Sequence, residues 1–241
     1  MLQRLDKFIS NQLNISRSDC RKYIFKGLVT VDGNPVLKPD TKIDTNICIV
    51  SLNGENISYK EYVYIMLNKP KGVLSAATDK TRQTVVDLVP EHLKRRNLAP
   101  VGRLDRDTTG LLIITDDGDF AHRVISPKSN LTKTYNVLLD GEVDDGIITK
   151  FENGITLHDG TECLPAKITV DKLSKCKATV GIVEGKYHQI KRMFGVVGLG
   201  VEELHRHSIG EVELDANLDF GECRELTSSE LDKIRKGYNI N

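Results

Sequence analysis

Near the middle of the sequence, a polar loop runs directly into a short apolar segment. The loop reads GRLDRDTTG over residues 102–110, and LLII follows at residues 111–114, before a second polar turn. An apolar run between Gly-rich and Asp-rich turns predicts a buried β-strand. A loop at one end of a sheet can present charged groups from a rigid scaffold. Asp105 lies between Arg103 and Arg106, so it is either a turn-capping carboxylate or an ionised group aimed at a ligand.

Length and cysteine content bound the class of protein. A chain of 241 residues exceeds one average domain, so we expect one large domain or two unequal ones. No apolar run approaches the length that spans a membrane, and residues 1–7 lack the features of a signal peptide. The five cysteines are odd in number and form no Cys-x-x-Cys pair. This pattern predicts reduced thiols, no zinc site and a cytoplasmic protein.

The charges are balanced overall but unevenly distributed. Lys and Arg number 34, as do Asp and Glu. Residues 1–30 carry six Lys or Arg against two Asp, and residues 68–106 carry nine against four acidic residues. Residues 211–232 carry eight acidic residues against one Arg. Because binding to a polyanion depends on the local field, two basic regions are compatible with nucleic acid, although solvated surfaces would give the same pattern.

The N-terminal residues predict two short helices followed by a hairpin. Apolar residues at helical spacing mark a first helix from Leu2 to about Asn14. A capping sequence at Ser16 begins a second helix over about residues 17–26, and a glycine ends it. Asp-Gly at residues 32–33 then predicts a hairpin turn. The second helix is rich in cations, namely Arg17, Arg21, Lys22 and Lys26.

The remainder alternates strand-like runs with short helices. We expect a hinge within residues 47–60 and a basic loop at NKPKG that contains Lys69 and Lys71. Residues 84–96 have a helical pattern that Pro90 interrupts. Further strands are predicted at about residues 62–67, 111–115, 133–139, 166–170 and 177–183, and a final helix at about 228–236.

This pattern favours an α+β fold in two parts. The first part, residues 1–57, is a small helical and hairpin module that includes the hinge. The second part, residues 58–241, is a larger domain built on a mixed, mainly antiparallel sheet.

Three segments, in this order, resemble the motifs of the pseudouridine synthases. They are GRLDRDTTGLL at residues 102–112, KTY at residues 133–135 and EGKYHQIKRMF at residues 184–194. The likeness is to the branch that modifies ribosomal RNA and includes the RsuA-type enzymes, and it covers nearly the whole chain. The N-terminal module is similar to the RNA-binding domain named after ribosomal protein S4, in RLDKF at residues 4–8 and LVTVDG at residues 28–33.

The resemblance implies roles for individual residues. Asp105 matches the catalytic aspartate, Tyr135 the tyrosine that lies against the target base, and Lys191 the cation that pairs with the aspartate. Related branches often have Arg where this chain has Lys191, and Lys cannot form a bidentate pair. Ile190 matches an apolar wall of the pocket, and Arg103 a residue that fills the gap left by the extruded nucleotide. The cations of the second helix would be phosphate contacts: Arg17, Arg21, Lys22 and Lys26.

The resemblance implies no cofactor. The sequence also predicts no metal site, because His205 and His207 have no carboxylate or cysteine at a familiar ligand spacing. Gly195, Gly198 and Gly200 form no nucleotide-binding fingerprint, since no strand leads into a Gly-x-Gly-x-x-Gly turn.

The expected activity is isomerisation of one uridine to pseudouridine in ribosomal RNA. The compact length, without a basic C-terminal extension, favours the small-subunit RNA as substrate. Three alternatives stay open: a large-subunit enzyme, a non-catalytic RNA-binding factor for ribosome assembly, and an unrelated hydrolase with a carboxylate nucleophile. The expected partner is ribosomal RNA or a pre-ribosomal particle, with no membrane partner, and the expected state is a monomer.

Overall fold

The computed structural model describes residues 2–239, which form two compact units. The first unit contains the residues up to Val63 together with Pro90–Leu98. The second unit contains Tyr64–Val89 and the residues from Ala99 onward. The predicted fold class, a small N-terminal module and a larger mixed-sheet domain, is confirmed.

The first unit packs two helices against short antiparallel strands. Ser16 caps the second helix, where its hydroxyl accepts from the N–H of Asp19 at 3.1 Å, as the sequence predicts. The predicted hairpin turn has positive φ angles at Asp32 and Gly33, as a two-residue turn of this type requires. In chain order the elements are β1 (Leu2–Arg4), α1 (Leu5–Gln12), α2 (Arg17–Phe25), β2 (Val29–Val31), β3 (Asn34–Pro35), β4 (Lys42–Asp44), β5 (Val50–Leu52) and β6 (Glu55–Ile57).

The first helix begins later than predicted. Leu2–Arg4 is a strand that pairs antiparallel with Lys42–Asp44, and the helix starts only at Leu5. Leu2 is exposed and does not belong to the apolar stripe. The pairing of β1 with β4 therefore overrides the helical spacing of the first residues.

Residues 50–57, which we expected within the hinge, form a hairpin of the first unit. β5 and β6 pair antiparallel, and Asn53 and Gly54 make the turn with positive φ angles. β5 also pairs with β2, which ties the hairpin to the rest of the unit.

The predicted helix over residues 84–96 is wrong. Only Glu91–Leu93 forms a single 3-10 turn, which starts after Pro90. Two arginines hold this stretch to the first unit: Arg95 donates to the side chain of Gln12, and Arg96 Nη2 donates to the carbonyl of Ile15 at 2.8 Å. These long-range contacts replace helical hydrogen bonds.

The second unit is built on a mixed sheet of nine strands. Seven lie in the order β13, β14, β10, β15, β9, β7 and β17, while β16 pairs with β15 and β8 with β9. Every pair is antiparallel except β15 with β9. Its elements are β7 (Tyr64–Lys69), β8 (Ala99–Pro100), β9 (Thr109–Thr115), α3 (Gly118–Ile125), β10 (Lys133–Leu139), α4 (Asp145–Asn153), β11 (Ile155–Thr156), β12 (Glu162–Cys163), β13 (Lys167–Val170), β14 (Lys177–Ile182), α5 (Gln189–Val196), β15 (Val201–Ile209), β16 (Val212–Glu213), β17 (Cys223–Glu225) and α6 (Ser228–Asn239), with a further 3-10 turn at Pro127–Ser129.

The central strand β9 is buried along its whole length, as its apolar sequence predicts. Leu111 and Ile113 pack in one cluster with Phe120 and Val124 of α3 and with Ile234 of α6. This packing holds β9 in place, and the polar loop leads into its N-terminal end. None of the helices within residues 2–239 combines the length and the apolar character that a membrane crossing requires.

Candidate active site

The signature loop, residues 102–108, precedes β9 and is anchored by hydrogen bonds to its backbone. Ser75 Oγ donates to the carbonyl of Leu104 at 2.8 Å and accepts from the N–H of Leu104 at 3.1 Å. Both Ser75 and Leu104 are buried. These bonds fix the backbone directly before Asp105.

A buried lysine ties down the other half of the loop. Lys69 was predicted in a basic loop, yet it is the last residue of β7 and is fully buried. Its Nζ donates to the carbonyl oxygens of Pro70, Arg106 and Thr108 at 3.0, 3.3 and 2.9 Å. Burial lowers the pKa of Lys69 to about 8. Lys69 therefore tethers the signature loop and is not a surface contact.

Two basic side chains face the carboxylate of Asp105. His188 Nε2 lies 3.4 Å from Oδ1, and Lys191 Nζ lies 3.7 Å from Oδ2. About a quarter of the Asp105 side chain is exposed, so a substrate can reach it. A cation at this distance attracts a carboxylate and orients it.

Lys191 makes its closest contact with a second carboxylate. Its Nζ donates to both oxygens of Asp107 at 2.6 Å. This hydrogen bond is the main cause that holds the pKa of Asp107 below its usual value. Asp105 and Asp107 therefore share one lysine. No role was predicted for Asp107, although it stands only two residues after Asp105 in the sequence.

A pocket of about 70 Å³ lies beside Asp105. Its lining brings together four of the residues singled out in the sequence, Arg103, Asp105, Tyr135 and Ile190. The remaining lining residues are Leu104, Thr108, Ile182, Gly185, Lys186, His188, Gln189 and Leu204, while Lys191 reaches Asp105 without lining the pocket.

Tyr135 reaches the pocket because β10 alternates between buried and more exposed residues. Its side chain is buried, and its neighbour across the sheet is Arg206 on β15. Arg206 Nη1 donates to the hydroxyl of Tyr135 at 3.5 Å. Arg206 was not predicted as a site residue, because in the sequence it is only the middle residue of a His-Arg-His run.

The segment before α5 and the first turn of α5 also line the pocket. His188 adopts a left-handed backbone conformation, with φ of +48°, directly before the helix. Its ring stacks on Tyr187 at 3.9 Å between ring centroids. Ile190 follows in the first turn and is buried. His188 therefore places its imidazole towards Asp105, while Ile190 forms an apolar part of the pocket lining.

The cations predicted to contact phosphate are exposed in the first unit, three of them on α2 and Lys26 at its C-terminal cap. Two of them also have acidic neighbours: Arg21 Nε lies 3.5 Å from Asp6, and Lys22 Nζ lies 2.8 Å from Asp19. The four residues are Arg17, Arg21, Lys22 and Lys26.

The two histidines of β15 do not form a metal-binding group. His205 Nδ1 lies 2.9 Å from the hydroxyl of Thr109, and burial, together with the charge of nearby His207, lowers the pKa of His205. His207 Nε2 lies 3.7 Å from Glu213. Within residues 2–239 no cluster of three or more His, Cys, Asp or Glu side chains could hold a metal ion.

Comparison with known proteins identifies the class to which this fold and pocket belong. The sequence profile of the family described as RNA pseudouridylate synthase matches residues 63–195, and that of the S4 domain matches residues 3–46. The chain belongs to the RNA pseudouridylate synthase family.

Particular relatives match along almost their whole length. An uncharacterized RNA pseudouridine synthase, YtzG, from Bacillus subtilis is 41% identical over 95% of this chain and 96% of its own. The ribosomal small subunit pseudouridine synthase A of Vibrio vulnificus is 40% identical over 97% and 100%, and that of Escherichia coli is 39% identical over 96% and 99%. A crystal structure of a pseudouridylate synthase superposes with a TM-score of 0.67 at 37% identity, over 96% of this chain and 99% of its own.

Replacement of Lys191 tests whether the lysine supports Asp105. We expect Lys191→Met to lower turnover of uridine in ribosomal RNA by roughly a hundredfold or more, because the carboxylate of Asp105 loses the ammonium group that faces it. Lys191→Arg should retain most of the activity because the charge remains. Tritium release from uridine-labelled RNA measures turnover, and thermal unfolding checks the fold. Lys167→Met, at an exposed position of β13, is the control. Wild-type turnover by Lys191→Met would exclude the supporting role.

Proposed function

We propose that this chain converts a specific uridine in small-subunit ribosomal RNA to pseudouridine, with Asp105 as the catalytic carboxylate. The observation that carries the proposal is the pocket in which Asp105 and Tyr135 meet. The substrate is inferred from full-length relatives named ribosomal small subunit pseudouridine synthase A. The S4 domain match supports RNA as the partner.

The reaction rearranges one nucleotide without changing its composition. The bond from N1 of the uracil to the ribose breaks, the base turns, and C5 of the uracil joins the same ribose carbon. A proton leaves C5 and one is gained at N1, so atoms and electrons balance without an added oxidant or reductant. An ionised carboxylate can serve this sequence as a nucleophile or as a base. We assign that role to Asp105.

Two neighbours complete the proposed chemistry. The ring of Tyr135 offers a buried apolar face against which the base can stack, and its hydroxyl can take part in proton transfer. Lys191 Nζ, 3.7 Å from Asp105, orients the carboxylate. Arg103 at the pocket is proposed to fill the gap that the extruded nucleotide leaves.

Purified protein and two naked RNA substrates separate the proposed function from its alternatives. We expect tritium release from small-subunit ribosomal RNA and none above background from large-subunit ribosomal RNA. Release from the large-subunit RNA alone would identify a large-subunit enzyme. The protein could also bind RNA but release no tritium from either RNA or from reconstituted pre-ribosomal particles. That result would favour a non-catalytic assembly factor.

The S4 domain is proposed to supply affinity through phosphate contacts of α2 and of Lys26 at its C-terminal cap. Each phosphate contact contributes about 0.7 to 0.9 to the slope of log affinity against log salt. The double variant Arg17→Gln and Lys26→Gln should therefore lose about 1.4 to 1.8 units of slope if both cations bind phosphate. The control is Lys150→Gln with Lys236→Gln, which removes two exposed charges from α4 and α6. Equal slopes for wild type and the α2 variant would contradict these contacts.

We place the reaction in the cytoplasm, with ribosomal RNA or a pre-ribosomal particle as the partner and a monomer as the active form. All five cysteines are free thiols, which suits a reducing compartment. Size-exclusion chromatography with light scattering measures the oligomeric state, and a mass of two chains would contradict the monomer.

A further inference from the structure

A second cavity, of about 240 Å³, adjoins the catalytic pocket. The two spaces share Arg103, Tyr135 and Gly185 as lining residues, so Tyr135 stands between them. The second cavity adds two basic side chains to its lining, Lys133 and Arg206. The roles proposed above for the reaction do not use either of them.

Arg206 is deeply buried yet incompletely bonded. The residue is only 5% exposed. Nε donates to the carbonyl of Leu111 at 2.7 Å, and Nη1 donates to the hydroxyl of Tyr135 at 3.5 Å. Nη2 has no hydrogen-bond partner among the residues that the structure describes. A buried donor that is left unpaired is unfavourable, so this nitrogen is ready to bind an acceptor.

Lys133 is the second buried cation of the cavity, and it is 9% exposed. Its Nζ donates to the carbonyl of Val183 at 3.2 Å. Burial, together with the positive charge of Arg206, lowers the pKa of Lys133 to about 8. No carboxylate contributes to that shift. Burying the positive charges of Lys133 and Arg206 side by side is unfavourable, and a bound anion would relieve this cost.

The one acidic residue in the cavity lining is already bonded elsewhere. Glu184 pairs with Lys186 at 2.7 Å, and it accepts from the N–H of Leu164 at 2.9 Å and from the side chain of Gln189 at 2.7 Å. Its charge is therefore balanced by other groups. The remaining lining residues are apolar or small, namely Val101, Gly102, Val124, Ile125 and Ile209.

We propose that Arg206 and Lys133 form a phosphate-binding subsite that takes a phosphate attached to the ribose of the target uridine. This inference rests on the proposed function, because that function supplies the nucleotide. A guanidinium and an ammonium are the side chains that bind phosphate oxygens most strongly in proteins. With Tyr135 shared by both spaces, the base occupies the catalytic pocket while the phosphate enters the second cavity. The phosphate supplies the acceptor for Nη2 and the counter-charge for both cations.

The test is direct binding of small ligands to the full chain, measured by calorimetry without turnover. We expect the wild type to bind uridine 5′-monophosphate or uridine 3′-monophosphate at least about tenfold more tightly than uridine. Lys133→Gln should reduce this preference to about twofold or less, and Lys133→Arg should restore it. Lys150→Gln, which removes an exposed charge from α4, should bind as the wild type does.

Three outcomes overturn the subsite. Equal affinity of the wild type for uridine and both monophosphates would overturn the subsite. This comparison needs no variant, so it holds even if Lys133→Gln fails to fold. Unchanged preference in a folded Lys133→Gln would do so as well. Inorganic phosphate that binds as tightly as the monophosphates would show a site for free anions and not for the target nucleotide.

The same preparations keep this inference distinct from the proposed function. Turnover of ribosomal RNA together with no preference for monophosphates would remove the subsite alone. A clear preference for monophosphates, with no turnover on any ribosomal RNA or particle, would retain the subsite and remove the proposed substrate. In turnover assays Lys133→Gln should raise KM by about tenfold and change kcat less, as loss of binding in both ground and transition states requires.

Discussion

Asp105→Asn should abolish formation of pseudouridine while RNA binding stays nearly unchanged. The amide has almost the same size as the carboxylate, but it can act neither as a nucleophile nor as a base at neutral pH. We expect turnover to fall by about 10⁴-fold or more, and affinity for ribosomal RNA to change by about twofold or less. Tritium release measures the first quantity and filter binding the second.

A matched control separates the loss of this carboxylate from the loss of any surface charge. Asp119→Asn removes an exposed carboxylate from the first turn of α3, outside the pocket lining. Its turnover should equal that of the wild type. Turnover by Asp105→Asn within about tenfold of the wild type would remove Asp105 from the chemistry.

Gly110→Ala should have the largest effect on stability. Gly110 has φ of +101°, and a Cβ there would lie 2.3 Å from the carbonyl oxygen of Arg206 and 2.8 Å from its nitrogen. The obstructing atoms are backbone atoms of β15, which pairs in parallel with β9 at this residue. Neither strand can move without breaking this pairing. We expect a loss of about 3 to 5 kcal/mol in the free energy of unfolding, from backbone strain and overpacking together.

Gly195→Ala is the control for that substitution. Gly195 lies within α5, has no positive φ, and would place its Cβ with no atom within 4 Å. Alanine at an unobstructed helix position stabilises by about 0.5 to 1 kcal/mol. Urea-induced unfolding of both variants measures the difference. A midpoint for Gly110→Ala that equals or exceeds the control would contradict the packing of β9 against β15.

Features that depend on local sequence were predicted well. The buried strand β9, the capped helix α2 and the alternating strand β10 follow from hydrophobic period and turn residues, which act over a few positions. Asp105 and Tyr135, which were singled out from two separate motifs, line one pocket.

Features that depend on distant pairing were missed. The contact of Lys191 with Asp107 joins residues 84 positions apart, and no periodicity relates them. Lys69 resembled a surface cation because its sequence neighbours are polar, but its partners Arg106 and Thr108 come from the signature loop. Propensity cannot anticipate a charge that is buried by backbone acceptors from elsewhere in the chain.

The segment 90–98 illustrates the same limit at the level of domains. In the sequence it lies between two strands of the second unit, and it forms part of the stretch 84–96 for which a helix interrupted at Pro90 was predicted. Instead Arg95 and Arg96 bond to Gln12, Lys60 and Ile15 of the first unit. Side-chain hydrogen bonds to distant residues hold this stretch, and they leave no local signal in the sequence.

A map of pseudouridines in ribosomal RNA from cells that lack this protein shows whether it modifies the small-subunit RNA through Asp105. Chemical modification and sequencing would be applied to both ribosomal RNAs after complementation with wild type, Asp105→Asn or an empty vector. We predict that one pseudouridine of the small-subunit RNA becomes uridine without the protein. It should return with the wild type and stay absent with Asp105→Asn. An unchanged small-subunit map in the cells that lack the protein, or full restoration by Asp105→Asn, would contradict the account.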